Sequence, residues 1–214
     1  MTIRNLGDQV SIANQFLLEL RDIRIQKDRL RFRHNLSRLG EIMAYEISKE
    51  LMYQQKEVET PLGKKIVNVL PADIVLITIL RAGLPFLEGF QRIFDQADIG
   101  FIGSYRVEGK SKLRIQSDYL AAPSLAGKTV ILIDTMLATG HSLADALKSL
   151  TGHGKPRYLY LASVISAPEG IRFLNGRIKQ PASLWTYSVD EKLNARFYIV
   201  PGLGDAGDLS FGIK

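Results

Sequence analysis

The run Val130-Ile131-Leu132-Ile133-Asp134 ends an apolar strand on a carboxylate, and Thr135 to Ser142 continues it with small and hydroxyl-bearing residues. A helix starting at Ser142 offers unpaired main-chain N–H groups in its first turn and the positive end of its dipole, and Thr139, Gly140 and Ser142 let a phosphate approach closely. Asp134, one short loop away, suits a carboxylate that accepts hydrogen bonds from sugar hydroxyls. Phosphate plus diol means a phosphorylated ribose. The same residues also fit an ordinary strand-to-helix turn with Asp134 and Ser142 as helix caps, and by themselves they leave both readings open.

A second group follows an earlier apolar run at Ile79-Leu80-Arg81-Ala82-Gly83. An Arg at a strand end beside two small residues can present a planar fork to a diphosphate while the backbone nears the same oxygens. Arg106, in Ser104-Tyr105-Arg106, is a further basic group after a strand; alone, either Arg is more often a surface or salt-bridge residue. The tail Tyr198-Ile199-Val200-Pro201-Gly202-Leu203-Gly204-Asp205-Ala206-Gly207-Asp208 holds three glycines in six residues, which suits exposed main chain approaching a flat polar ligand. Gly202-x-Gly204-x-x-Gly207 also satisfies the dinucleotide fingerprint formally. That motif needs a helix, another strand and a distal acid, for which the seven residues after Gly207 are too few. Gly127-Lys128-Thr129 imitates the end of a P-loop, but Ala122 stands where its first glycine belongs.

The segment Ile133 to Ser142 resembles the phosphoribosyl-diphosphate motif of type I phosphoribosyltransferases, in the form carried by uracil phosphoribosyltransferases, where it usually reads Asp-Pro-Met-Leu-Ala-Thr-Gly-Gly-Ser. Here Thr135 replaces the Pro and His141 the second Gly; His141 brings a bulky side chain to a loop where the backbone could need positive φ. The tail and the Arg81 loop are similar to the same family in order and spacing, as are Ala167-Pro168-Glu169-Gly170 and Leu193-Asn194, so that the likeness runs from about Arg29 to the C-terminus; Leu209 departs from the family's usual Arg or Lys. The resemblance implies transfer of phosphoribose from 5-phosphoribosyl-1-diphosphate (PRPP) to uracil, giving UMP and diphosphate in pyrimidine salvage. It implies that Arg81, Asp134 and Asp205 are catalytic. PRPP would be held by Arg81, Arg106, Asp134, Thr135, Met136, Leu137, Ala138, Thr139, Gly140, His141, Ser142 and Asp205. Main chain at Ile199, Gly204 and Ala206, with Asp205, would meet the uracil edge, whose C=O, N–H, C=O pattern matches backbone groups. It further implies Mg2+ near Asp205, a homodimer or homotetramer, and activation by GTP as in some relatives.

The elements that must position these residues are legible as periodicities. Phe32, Leu36, Leu39, Met43, Ile47 and Leu51 recur at helical spacing, so a long N-terminal helix is predicted, broken at Pro61-Leu62-Gly63. Strands are predicted at Ile74 to Leu80, Ile99 to Tyr105, Thr129 to Ile133, Tyr158 to Ile165 and Leu184 to Val189, with helices at Leu84 to Phe94 and Ser142 to Leu150. Continuous apolar strands alternating with helices give an α/β fold with a doubly wound, mainly parallel sheet whose ligands sit beyond the strands' carboxyl ends. One domain spans 1–214, with a helical region at 1–60 and a base-binding hood at 190–214. Arg106 to Ser117 reads either as a mobile lid or as a plain surface hairpin.

The 214 residues contain no cysteine and only His34, His141 and His153, which removes disulfides, thiolate nucleophiles and zinc sites of metal-ligand spacing. No Ser-His-Asp set or Glu pair is visible either. Met1 to Asn14 has no apolar block, and Ile74 to Leu80 is far shorter than the roughly 20 residues of a membrane span, so a cytoplasmic protein with no membrane partner is expected. The net charge of +6 admits an anionic partner of some kind. Much of it lies in Arg21 to Arg38, where seven Lys or Arg face only Asp22 and Asp28, and the segment reads as a solvated helix face and not as a nucleic-acid platform. The rival readings are an RNA-binding regulator of the same fold that senses UMP, and a purely structural relative disabled at His141.

Overall fold

A computed structural model of the chain describes residues 1–107 and 114–213, with side chains outside 104–118. Strands β1 (Thr2–Asn5), β4 (Ile74–Leu80), β5 (Asp98–Val107), β6 (Arg114–Ala121), β7 (Thr129–Ile133), β8 (Met136–Leu137), β9 (Tyr158–Ser166) and β10 (Ala182–Val189) form one sheet in the order β1-β10-β9-β7-β4-β5-β6, with β8 pairing on β9. All neighbours are parallel except β5 and β6. Helices α1 (Ile12–Arg21), α2 (Arg29–Ser48) and α3 (Gly83–Ile93) pack in the core formed on one face, and α4 (His141–Ser149) and α5 (Pro168–Asn175) in that on the other. The chain closes with β11 (Lys192–Leu193), β12 (Ile199–Val200) and α6 (Ala206–Phe211), and a separate hairpin of β2 (Gln54–Thr60) and β3 (Gly63–Val69) stands apart.

Side chains of a strand point alternately to opposite faces, and the two cores follow from that. Leu76, Ile131, Ile133 and Trp185 join the core beneath α2 and α3, whereas Val75, Ile77, Val130, Leu132 and Leu184 join the core beneath α4 and α5. Covering both faces is why β4 and β7 read as almost continuous apolar runs, with Thr78 and Thr129 as their polar positions. The α2 and α3 backbones meet at Gly40 and Gly89, where a Cβ on either would overlap the other helix's main chain. The predicted strands all appear, extended by a residue or two in β5, β9 and β10, and the helices after β4 and β7 each start one residue early.

The helical region predicted for 1–60 is corrected in two places. Thr2–Asn5 is an edge strand paired on β10, and Gln54–Thr60 pairs with Gly63–Val69 in a hairpin whose turn is the Pro61-Leu62 step read as a helix breaker. Both faces of that hairpin are exposed along most of its length, so no apolar alternation marks it in the sequence. Helix α2 ends at Ser48, short of Leu51. Arg24, Lys27, Arg29, Arg31 and Arg38 of the basic segment are exposed, as a solvated face requires, whereas two of its cations meet partners distant in sequence: Arg21 bonds Asp190 at 2.6 and 2.8 Å, and Arg33 donates to the Ser210 carbonyl at 2.8 Å. Of the segment Arg106 to Ser117, the described flanks pair antiparallel as a hairpin, Arg106 opposite Ile115, and residues 108–113 lie outside the described residues. No described helix is long and apolar enough to cross a membrane.

Candidate functional site

Two strand-tip segments and the hood converge on one cleft of about 380 Å³ beyond the carboxyl ends of β4 and β7. From β4 come Leu80, Arg81 and Ala82; from the segment after β7 come Asp134 to Gly140, Ser142 and Leu143; from the hood come Phe197, Tyr198 and Gly204 to Gly207. Of the residues singled out in the sequence, Arg81, Asp134, Thr135, Met136, Leu137, Ala138, Thr139, Gly140, Ser142, Gly204, Asp205 and Ala206 line it. His141 and Ile199 do not, and the Arg106 side chain lies outside the described residues. Ile199 is buried, paired with Leu193, and its carbonyl is turned against Gly202.

The loop after β7 is held from both ends. Asp134 N–H donates to the Ala162 carbonyl, and the Thr135 carbonyl accepts from the Val164 and Ile165 amides at 2.9 and 3.3 Å. Met136–Leu137 then pairs on β9, so that the chain stays on the sheet before curling into α4. The positive φ that the loop needs falls on Gly140, at 82°, which is the N-cap of α4. His141 is the first helical residue; its exposed ring lies 4.3 Å from that of Phe173, outside the cleft. Replacing a glycine with His141 therefore costs the loop neither conformation nor room. The N-cap of α4 is Gly140, which has no side chain to cap with, and the His141 amide donates to Thr139 Oγ1 at 3.4 Å; a glycine at this position lets an anion approach the rest of the first turn. Gly170 of α5 backs the loop: a Cβ there would overlap the Ala138 carbonyl oxygen.

Arg81 follows the cis peptide Leu80–Arg81 and spans the cleft toward the tail, with Nη2 3.6 Å from Asp208 Oδ1 and 3.5 Å from the Gly212 carbonyl. Its Nε is buried without a hydrogen-bond partner among the described residues, a donor that a bound anion could satisfy.

The hood is shaped by polar anchoring. Asn194 Oδ1 accepts from the Arg196 and Tyr198 amides at 2.9 and 3.0 Å, which turns the chain so that Phe197, at φ 62°, and Tyr198 face the cleft half-exposed. Asp190 accepts from Arg21 and from the Gly202 amide, while the Gly202 carbonyl accepts from Arg21, each at 2.8 Å or less. Burial pushes the Asp190 carboxyl up, but the Arg21 guanidinium, the Ser188 hydroxyl and the Gly202 amide together hold it below its ordinary range. Asp205 caps α6 by accepting from the Asp208 amide at 2.9 Å, which fixes its carboxylate at the cleft. The helix excluded on sequence grounds does open after Gly204, but it is six residues long and no strand follows it. Phe197 and Tyr198 were missed by the sequence reading; the signal was Asn194, a turn former three and four residues before them.

Asp134 and Asp205 are the carboxylates lining the cleft, and no cluster of three His, Cys, Asp or Glu exists among the described residues. An all-oxygen pair of this kind fits magnesium, which binds through one or two carboxylates and takes its remaining ligands from substrate phosphates and water.

A mainly parallel doubly wound sheet with an acid, a small-residue turn and a helix N-terminus after one central strand, and an Arg loop after its neighbour, defines the class of type I phosphoribosyltransferases. Comparison with known proteins narrows it. Residues 9–213 match the uracil phosphoribosyltransferase family. The uracil phosphoribosyltransferase of Porphyromonas gingivalis is 42% identical over 215 residues, covering 100% of both chains, and that of Thermococcus gammatolerans is 40% identical over 206 residues, covering 92% of this chain and 88% of its own. The solved structure of a protein from Aquifex aeolicus superposes with a TM-score of 0.89 at 34% identity, covering 100% of this chain and 99% of that one. The chain belongs to the uracil phosphoribosyltransferase family.

Proposed function

We propose that the protein joins uracil to 5-phosphoribosyl-1-diphosphate, releasing UMP and diphosphate. Uracil N1 forms a bond to the anomeric carbon as the bond to the diphosphate oxygen breaks, the N1 proton is lost, and the bonding pair leaves with diphosphate. Catalysis of this kind rests on alignment and on stabilising the charge that moves to the leaving group. The observation that carries the reading is the meeting, in one cleft, of a helix N-terminus entered through a glycine N-cap, the Asp134 carboxylate, the Arg81 guanidinium and the glycine-rich main chain at Gly204 to Gly207.

In this reading the turn at Ala138 to Ser142 anchors the 5-phosphate, with Thr135 to Leu137 forming the wall beside it, and Asp134 accepts from the ribose hydroxyls. Arg81, whose Nε lacks a partner, holds the diphosphate, and Arg106 would assist from the strand beside it. Main chain at Gly204 and Ala206 meets the uracil edge between the rings of Phe197 and Tyr198; a cytosine amine would face buried donors there and be rejected. Main chain at Ile199, buried against Gly202, completes the same uracil contact in this reading. Asp205 and Asp134 would hold magnesium, which supplies positive charge beside the diphosphate when bound. Binding of GTP as an activator belongs to the same proposal, as does residence in the cytoplasm. So does a homodimer or homotetramer, which the exposed β2–β3 hairpin supports, because a two-stranded ribbon is marginal in water unless something packs on it. An RNA-binding role is the alternative reading, and it has less of the basic segment to draw on, since Arg21, Arg31 and Arg33 are engaged within the chain.

The test is to incubate the protein with uracil, the sugar diphosphate and magnesium and to follow UMP and diphosphate. Arg81→Ala is expected to lower kcat by about 10²-fold or more while leaving UMP affinity within about threefold. Wild-type turnover in that variant contradicts the assignment.

A further inference from the structure

A second cavity, of about 540 Å³, lies on the α4 and α5 face of the sheet, away from the strand tips. Its floor is apolar, formed by Leu147, Leu150, Leu159, Leu174 and Ile178, and its rim carries Lys148, Lys155, Arg177 and Lys179, all exposed. No carboxylate is among its lining residues. Arg177 is held over the Phe173 ring at 3.6 Å and donates to the Phe173 carbonyl, whereas the three lysines have no acidic partner among the described residues. Its volume falls within the range of small-molecule pockets, roughly 300–1,000 Å³. Four cations of one sign around an apolar floor repel one another, and an anion relieves that repulsion.

We propose that this cavity is a binding site for a small amphiphilic anion, an apolar chain or ring that fills the floor with one anionic head that meets the lysine rim. The site is mechanically continuous with the phosphate-type loop. Leu174 belongs to the floor, and a Cβ on Gly140 would stand only 3.3 Å from its Cγ, so the side chain packs between the cavity and the N-cap of α4. Leu147 and Lys148 sit in the last turn of the same helix, about 10 Å along its axis from its first residue. A ligand seated against Leu147 and Leu174 therefore restrains α4 at both ends, and the bound state has a stiffer loop at Ala138 to Leu143.

Titrating the full chain with octanoate by calorimetry is expected to give saturable binding at one site per chain. Octanamide, which keeps the chain and lacks the charge, binds at least tenfold more weakly, and so does octanoate to the double variant Lys148→Glu, Lys179→Glu. Both lysines are exposed, so the variant keeps the wild-type melting temperature, which is checked alongside. Absence of saturable binding, equal affinity for the amide, or equal affinity in the charge-reversed variant overturns the site. In hydrogen–deuterium exchange, saturating octanoate slows the amides of residues 138–143 at least threefold; unchanged exchange overturns the link to the loop. Neither readout depends on turnover, so a protein that failed to make UMP would leave both outcomes intact.

Discussion

Replacing Gly170 with Ala tests whether the cleft is positioned by the helix behind it. In an ordinary helix the change stabilises by roughly 0.5–1 kcal/mol, because Ala loses less conformational entropy than Gly. Here the new methyl overlaps the Ala138 carbonyl oxygen and reaches within 3.0 Å of Leu137 Cδ1. Restoring an ordinary carbon–oxygen separation of roughly 3.3 Å requires the two backbones to part by about 1 Å. Because the Thr135 carbonyl is bonded to β9 and Leu137 pairs on it, the displacement falls on Ala138 to Gly140, the stretch that leads into α4. A misplacement of about 1 Å costs on the order of 10²-fold in rate, equal to about 2.7 kcal/mol of transition-state stabilisation. The assay is kcat/KM for uracil and for the sugar diphosphate, with melting temperature measured in parallel. Gly176→Ala, at the end of the same helix with nothing nearer than 3.9 Å to the new methyl, serves as the control and keeps full activity. A Gly170→Ala protein with wild-type kcat/KM would refute the positioning argument.

Other perturbations follow from the anchoring of the hood and the N-terminal helices. Arg21→Ala leaves the buried Asp190 carboxylate unpaired and is expected to cost about 3 kcal/mol, or roughly 6–12 °C in Tm, and to raise KM for uracil more than for the sugar diphosphate; equal KM changes would count against a hood-specific role. Phe197→Gly relieves a bulky residue at φ 62° and should leave Tm within roughly 3 °C, while loss of the aromatic wall weakens UMP about tenfold by calorimetry; an unchanged Kd would remove Phe197 from the base site. Glu19 is lowered from 4.5 to about 2, first by hydrogen bonds from Arg31 and then by Asn35. A carboxyl depressed on folding stabilises fully above its unfolded pKa and loses that contribution as pH falls from about 5 toward 2. Glu19→Gln should therefore lower stability at pH 7, by about 2 kcal/mol in denaturant titrations, and flatten the acid limb below pH 5; an acid limb as steep as that of the parent protein would show that Glu19 is not its source.

The sequence by itself determined the strands and the loops at their tips. Ile74–Leu80 and Thr129–Ile133 are buried on both faces, so all their positions are apolar except Thr78 and Thr129, whose hydroxyls have partners, and the acid or Arg that follows each run marks the sheet's edge. Residues such as Asp134, Thr139 and Gly140 were legible because their chemistry is local: a turn, a helix start and a strand end lie within nine residues of one another. Other features were decided only by tertiary structure. Arg21 looks like one more surface cation until Asp190 and Gly202 arrive from the far end of the chain, and Gly170 has no visible task until Ala138 packs against it. The hairpin at 54–69 went unread for the opposite reason, as strands exposed on both faces carry no apolar alternation to detect. His141 stood where a positive φ was expected, and only the folded loop assigned that conformation to Gly140. Local periodicity records which face of an element is buried; which distant group meets it is fixed by the packing of elements, and no short window of residues contains that.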